Sequence, residues 1–250
     1  MSIRAVLFDL GDTLWHFPVM PPVEKIRNET VRRITNLLRS WDIEPQGELR
    51  FLGRDIRLAL EEADRTAYAG DCISPHYPTL VREVAAAKGL DLSPERSEQL
   101  WDTWNLGGVF LGRRLFDDAI EMLETLRDRG HTLGSVTNRA FGGPRFLEEV
   151  RGLGLAQFFD EITISCDLGY MKPRPEIFQH ALNALGVEPQ ETVMVGDSLR
   201  ADVAGAQALW MTAIWRRPPN PREEVDGVQP DFVVEELREI AQLPCFDPGG

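Results

Sequence analysis

Cationic residues are in short supply. Against 40 Asp and Glu the chain carries 27 Lys and Arg, a formal net charge of −13. Nucleic acids and anionic lipid surfaces are bound through clustered Lys and Arg, so neither is an expected partner. A small anionic ligand is not excluded, because a metal ion and one lysine can supply positive charge locally. Cysteine is rarer still. Cys72, Cys166 and Cys245 are odd in number and show no CxxC and no Cys/His spacing. This excludes a disulfide framework and points to free thiols in a reducing compartment. Long apolar runs are missing too. No segment reaches the roughly 18 apolar residues of a membrane span. The short N-terminal run is broken by Asp9, so no signal-peptide pattern is present. These absences lead to the expectation of a cytoplasmic protein.

What is present is ordinary globular material: 250 residues, 43% hydrophobic and 27% charged, enough for one large domain or two small ones. The chain is organised around Arg4-Ala-Val-Leu-Phe-Asp-Leu-Gly-Asp-Thr-Leu-Trp15. Ala5 to Phe8 reads as a strand buried on both faces. It stops at Asp9, and Gly11 and Asp12 follow in a turn pattern. A carboxylate is thereby placed at the carboxyl edge of a sheet, where open α/β folds keep their ligands.

Two regions follow. From Trp15 to about Gly112 the pattern is helical throughout, with helices expected over 23–41, 49–68, 80–88 and 94–104. After that the chain alternates. Helices are expected over 117–129, 145–150, 175–185 and 202–209, and strands over 132–136, 161–164, 192–195, 212–215 and 232–234. Residues 216–224 read as a proline-rich loop, and the tail from Pro244 as frayed. Strand–helix alternation means a parallel sheet with right-handed crossovers. The fold class is therefore α/β, a Rossmann-like parallel sheet with an all-helical insertion. Its core is expected from 1–15 and 113–250, and its helical part from 16–112. A block inserted after the first strand is expected to lie over the sheet's carboxyl edge.

Several strand ends carry polar residues. The strand from Thr132 ends in Thr137-Asn138. The strand from Thr192 ends in Gly196-Asp197-Ser198, with Asp202 four residues on. The strand near Ile164 leads into Gly169-Tyr-Met-Lys172-Pro-Arg-Pro. Each has a plain structural reading: Thr137 and Asp197 as helix caps, Lys172 as a solvated loop lysine, Asp12 as a turn residue. In a parallel sheet, however, all these ends share one edge. The candidate site is then Asp9, Thr137, Asn138, Lys172, Asp197 and Asp202.

With these motifs in this order, the sequence resembles the haloacid dehalogenase superfamily of hydrolases, in the phosphatase-like branch with a helical cap after the first strand. The resemblance spans nearly the whole chain and rests on Phe8-Asp9-Leu-Gly-Asp-Thr-Leu14, Ser135-Val-Thr137-Asn138, Lys172-Pro173, and Gly196-Asp197-Ser198 through Asp202. It implies a phosphatase acting on a small phosphorylated metabolite, with Asp9 as the nucleophile that forms an aspartyl-phosphate. It further implies Mg²⁺ held by Asp9, the Gly11 carbonyl and Asp197. Thr137 would donate to a phosphoryl oxygen and Lys172 would balance Asp9 and the phosphate. Asn138 is a further phosphate-binding candidate. Asp202 would orient Lys172 or the metal's surroundings, and Ser198 would stand beside the site.

One position departs from the resembling pattern, which is Asp-x-Asp with the second Asp as general acid and base. Here that position is Gly11, and Asp12 comes one residue later. Loss of such a group typically costs about 10²–10⁴-fold in rate. Asp12 could swing in, the leaving group could need little protonation or the substrate or a cap residue could supply the proton, or the protein could bind phosphate compounds and turn over poorly. A dehalogenase is a third reading. Asp197 argues against it, because resembling dehalogenases need no metal and replace that carboxylate. The missing second Asp also argues against a phosphomutase.

Overall fold

The structure is a computed structural model, and it describes residues 2–219 and 227–246. Residues 220–224 of the expected proline-rich loop lie outside the described residues. Eight strands are present among the described residues: β1 Ala5–Phe8, β2 Trp15–His16, β3 Arg114–Leu115, β4 Thr132–Thr137, β5 Glu161–Ile164, β6 Thr192–Gly196, β7 Thr212–Arg216 and β8 Phe232–Val234. Six of them form one sheet in the order β5-β4-β1-β6-β7-β8, every pair parallel. β2 and β3 pair antiparallel in a separate two-stranded ribbon. By contact density the chain separates into two compact units, Met1–Phe17 with Arg114–Gly250, and Pro18–Arg113. The division falls after Phe17 because the β2–β3 ribbon stays with the sheet.

Alternate residues of each strand face opposite sides, and both sides are buried. Val6, Phe8, Leu133, Val195 and Ile214 pack with the helix Ala119–Asp128 and with Phe146 on one side. Ala5, Leu7, Val136, Met194 and Ala213 pack with the helix Pro175–Leu185 on the other. This is why β1 reads as an unbroken apolar run rather than an alternating one.

The second unit is helical. Val23–Ser40, Leu52–Ala69, Tyr77–Ala86 and Pro94–Trp104 each pack on the next, and the first packs on the fourth. Ile26, Thr30, Ile34 and Leu38 recur every four residues as the buried stripe of the first helix. Tyr77 stacks on Trp101, and its hydroxyl donates to Asp64 at 2.7 Å.

Three expectations are corrected. Residues 47–51 form a 3-10 turn that precedes the helix, which itself starts at Leu52. The expected helix over 202–209 is a π-helical turn, Leu199–Ala204, followed by one short turn at Gly205–Gln207. There the backbone runs so close to the lysine loop that a Cβ at Gly205 would lie 3.0 Å from the Pro173 Cα. The tail is ordered as far as Phe246: Pro244–Phe246 form a 3-10 turn and the Phe246 ring is buried in the core. Periodicity could not reveal this, because a single aromatic anchors the tail.

Candidate active site

Register brings the polar strand ends together. Phe8 is paired with both Ser135 and Val195, and Gly196 with Trp215. Asp9, Thr137, Asp197 and Arg216 therefore emerge at one carboxyl edge, around the strand β1 from which the chain progresses in both directions. The Asp9 amide donates to the Val195 carbonyl at 2.9 Å, which fixes its backbone to β6. The turn after it closes on Leu10, whose carbonyl accepts from the amides of Leu14 and Trp15.

Lys172 occupies the centre. It is 1% exposed, and its ammonium is hydrogen-bonded to Asp9 and the Val136 carbonyl and ion-paired with Asp202. Nζ lies 2.6 Å from Asp9 Oδ1, 2.7 Å from Asp202 Oδ1 and 2.6 Å from the Val136 carbonyl. Burial alone would push this lysine's pKa down, but Asp202 and Asp9 outweigh it and hold the group above its ordinary value. The expectation of a solvated loop lysine is thereby excluded. Asn138 explains how the lysine is aimed. Its amide nitrogen donates to the Lys172 carbonyl at 3.0 Å and its Oδ1 accepts from the Lys172 amide at 2.7 Å. Both ends of the Asn138 side chain are thus engaged by the lysine's own backbone.

Asp202 is 1% exposed, and its Oδ2 accepts from the Ser198 amide at 3.0 Å. A Cβ at position 196 would fall 2.2 Å from this carboxyl group, so only glycine fits there. The glycine of Gly-Asp-Ser is thus a packing requirement of Asp202. Ser198 caps the following turn by accepting from the Ala201 amide at 3.1 Å. Asp197 is held by two residues. Thr13 Oγ1 donates to its carboxylate at 3.4 Å, and the Trp215 indole donates to its carbonyl at 2.8 Å. Thr137 is 2% exposed at the end of β4 and has no hydrogen bond from its hydroxyl among the described residues.

Asp12 is exposed in a left-handed backbone at φ 52°, which Asp tolerates better than most residues. The expected side-chain support of the turn is absent among the described residues. The turn is tied instead through the Asp12 carbonyl, which accepts from Arg216 Nη1 at 3.0 Å. Trp15 is fully buried, edge-on to Phe146, and so is a packing residue. Arg113 packs against Gly108, and Arg114 is exposed. Cys166 stays protonated, because burial and the adjacent Asp167 push its thiol up.

The electrostatics identify what the site would take. One buried ammonium serves three carboxylates, Asp9, Asp197 and Asp202. Burial, with Asp9, Asp202 and Asp12 adding and Lys172 opposing, pushes Asp197 up to about 8. Burial likewise pushes Asp202 up to about 6, although Lys172 and the Ser198 amide pull it down. A divalent cation would relieve this surplus of negative charge. Among the described residues no three carboxylate, imidazole or thiol side chains form a cluster suited to a metal. Carboxylate and backbone carbonyl oxygens are hard donors of the kind that Mg²⁺ takes.

The model of the haloacid dehalogenase-like hydrolases matches residues 3–209. The chain belongs to that family. Similarity extends over the full length of this hydrolase. It is 30% identical over 246 residues to a glyceraldehyde 3-phosphate phosphatase of Methanopyrus kandleri, covering 96% of this chain and 97% of the relative. Among solved structures, it is 28% identical to a 2-haloacid dehalogenase of Pseudomonas syringae, with a TM-score of 0.65 and 96% and 97% of the two chains covered. It is 27% identical to a phosphatase of the same superfamily from Thermococcus onnurineus, with a TM-score of 0.55 and the same coverage.

Three residues bear on the hydrolase's site without a role in the motif reading: Thr13, which lies inside the first motif, and Trp215 and Arg216, which lie outside all of them. The signal for the last two was available. They end a buried strand, Thr212–Arg216, just as Thr137 and Asp197 follow or end theirs.

Proposed function

We propose that this hydrolase is a Mg²⁺-dependent phosphatase that acts on a small phosphorylated metabolite through an aspartyl-phosphate on Asp9. The observation that carries the reading is the pairing of Asp9 with a fully buried Lys172, beside an Asp197 carboxyl that burial and neighbouring carboxylates push up to about 8. A site built this way favours a cation and an anionic substrate together. The full-length similarity to a phosphatase of a three-carbon sugar phosphate supports the substrate class.

In this mechanism Asp9, the Gly11 carbonyl and Asp197 would hold Mg²⁺, which supplies charge neutralisation on the non-bridging phosphoryl oxygens. Lys172 holds Asp9 Oδ1 and leaves Oδ2 to attack phosphorus. The new O–P bond forms as the bond to the leaving oxygen breaks, and that oxygen takes up a proton. Water then attacks the phosphorus of the acyl phosphate, which releases inorganic phosphate and restores the carboxylate. Thr137, with its uncommitted hydroxyl, donates to a phosphoryl oxygen. The helical insertion serves as the cap that selects the substrate and excludes water.

Gly11 favours a second reading, a protein that binds phosphate compounds with little turnover, because no carboxylate stands two residues after Asp9. Phosphate release from an aryl phosphate and a metabolite panel decides between them, with Mg²⁺ or chelator, for wild type and Asp9→Asn. Metal-dependent release abolished in Asp9→Asn is expected. Mg²⁺ binding without release from any substrate would favour the second reading. Metal-independent halide release from 2-haloacids would favour a dehalogenase.

A further inference from the structure

The end of β7 holds both acidic loops of the site. Trp215 takes the Asp197 carbonyl, and the next residue, Arg216, takes the Asp12 carbonyl at 3.0 Å. Arg216 is 6% exposed, an unusual situation for a guanidinium that forms no ion pair among the described residues. Its Nε is buried without a hydrogen-bond partner among them. Its Cζ lies 3.8 Å from the centroid of the Phe116 ring, and Phe116 in turn stacks on His16 of β2 at 4.3 Å. The guanidinium therefore spans from the two-stranded ribbon to the Gly11–Asp12 turn. That turn carries a residue in the left-handed region, a conformation that persists only where its surroundings enforce it. Gly11 has no side chain and the Asp12 side chain makes no hydrogen bond among the described residues, so apart from the long Thr13–Asp197 contact at 3.4 Å the turn is tied across to β7 through its backbone.

We infer that Arg216 is a positioning residue for this site: it fastens the Gly11–Asp12 turn through the Asp12 carbonyl, so that the turn presents its oxygens to a divalent cation. The inference deepens the phosphatase reading and rests on it for the identity of the cation. Burial lowers the pKa of the guanidinium, and the negative charges of Asp118 after β3, Asp197 after β6 and Asp12 in the turn oppose that. The positive charge that binds the turn thereby offsets part of the repulsion among the acids. Phe116 confines the group sterically, as an aromatic face does for a guanidinium. A lysine could supply the charge but not the planar contact with Phe116 together with the reach to the carbonyl.

The test compares wild type with Arg216→Gln, Arg216→Lys and the control Arg217→Ala. Two readouts are taken on protein whose fold is verified by circular dichroism. One is amide hydrogen exchange at Leu14 and Trp15, which close the turn on Leu10 and need no metal to report. The other is calorimetric titration with Mg²⁺ alone. In Arg216→Gln, exchange at those two amides at least tenfold faster and Mg²⁺ affinity at least tenfold weaker are expected, with Arg216→Lys intermediate and Arg217→Ala as wild type. Wild-type exchange at the turn in a folded Arg216→Gln would overturn the inference. So would loss of exchange protection across the whole sheet in both variants, which marks a general structural role. If wild type binds no Mg²⁺ while Arg216→Gln still loosens the turn, the phosphatase reading fails and the positioning role stands.

Discussion

A buried lysine that two carboxylates hold above its ordinary pKa is a fixed positive charge and a poor proton donor to a leaving group. Lys172 is such a residue, held by Asp9, Asp202 and the Val136 carbonyl. The leaving-group proton must come from elsewhere, which makes Gly11 the informative position. A Cβ there would meet only the Trp15 Nε1, at 3.9 Å, and the backbone is not left-handed. An aspartate is therefore accommodated without strain. Gly11→Asp is expected to raise kcat/KM for alkyl phosphates by about 10²–10⁴-fold, the usual contribution of a general acid, and to change aryl phosphate turnover much less. Equal kcat/KM for wild type and variant on both substrates would show that the proton already has another source. The sequence identified Asp9, Lys172, Asp197 and Asp202 as members of one site. It did not separate the roles of Asn138 and Thr137, neighbours in the chain. One side chain turns to the lysine backbone and the other makes no hydrogen bond among the described residues, a matter of orientation that spacing does not encode.

Regular elements were legible where one face is buried and opaque where backbone contacts intervene. The first helix of the insertion follows from its four-residue apolar stripe. The π-helical turn at Leu199–Ala204 does not, because close approach to the Pro173 backbone and the Ser198 cap shape it. At the half-buried margin of the first helix, Glu29 accepts from Arg32 at 2.7 Å and from Arg33 at 2.8 Å. Hydrogen bonds from both arginines pull its carboxyl down to about 2. A depressed carboxylate contributes stability above its unfolded value of about 4.5, and loses it as pH falls towards 2. The arginine partner Arg32 is 61% exposed, so screening limits the effect to about 1 kcal/mol or less. Glu29→Gln should lower the unfolding free energy read from urea titration at pH 7 by that amount, with the gap narrowing between pH 4.5 and pH 2. A gap independent of pH would mean that the loss is one of packing.

At the scale of the whole molecule, a sheet covered on both faces needs its margins closed, and the C-terminal segment does this. Phe246 is 6% exposed in the same core cluster as Val6 and Leu133, and it stands edge-on to His131. Phe246→Ala is expected to destabilise the sheet unit by about 3–5 kcal/mol, the usual range for a buried ring. Urea unfolding followed through the tryptophans of the sheet unit measures it, and an unchanged midpoint would show that the ring is not part of the core. No helix among the described residues is long and apolar enough to cross a membrane.

The sequence by itself determined the α/β class, the helical insertion, the strand that carries Asp9 and the family. All of these follow from local periodicity and from motifs at strand ends. Tertiary structure alone decided which partners each site residue has. Gly196 is required by Asp202, Asn138 serves the lysine backbone, and Arg216 reaches Asp12 across 204 positions of chain. The reason is physical. Periodicity reports which face of an element is buried, whereas a hydrogen bond or an ion pair depends on the register between strands that meet only in the folded sheet.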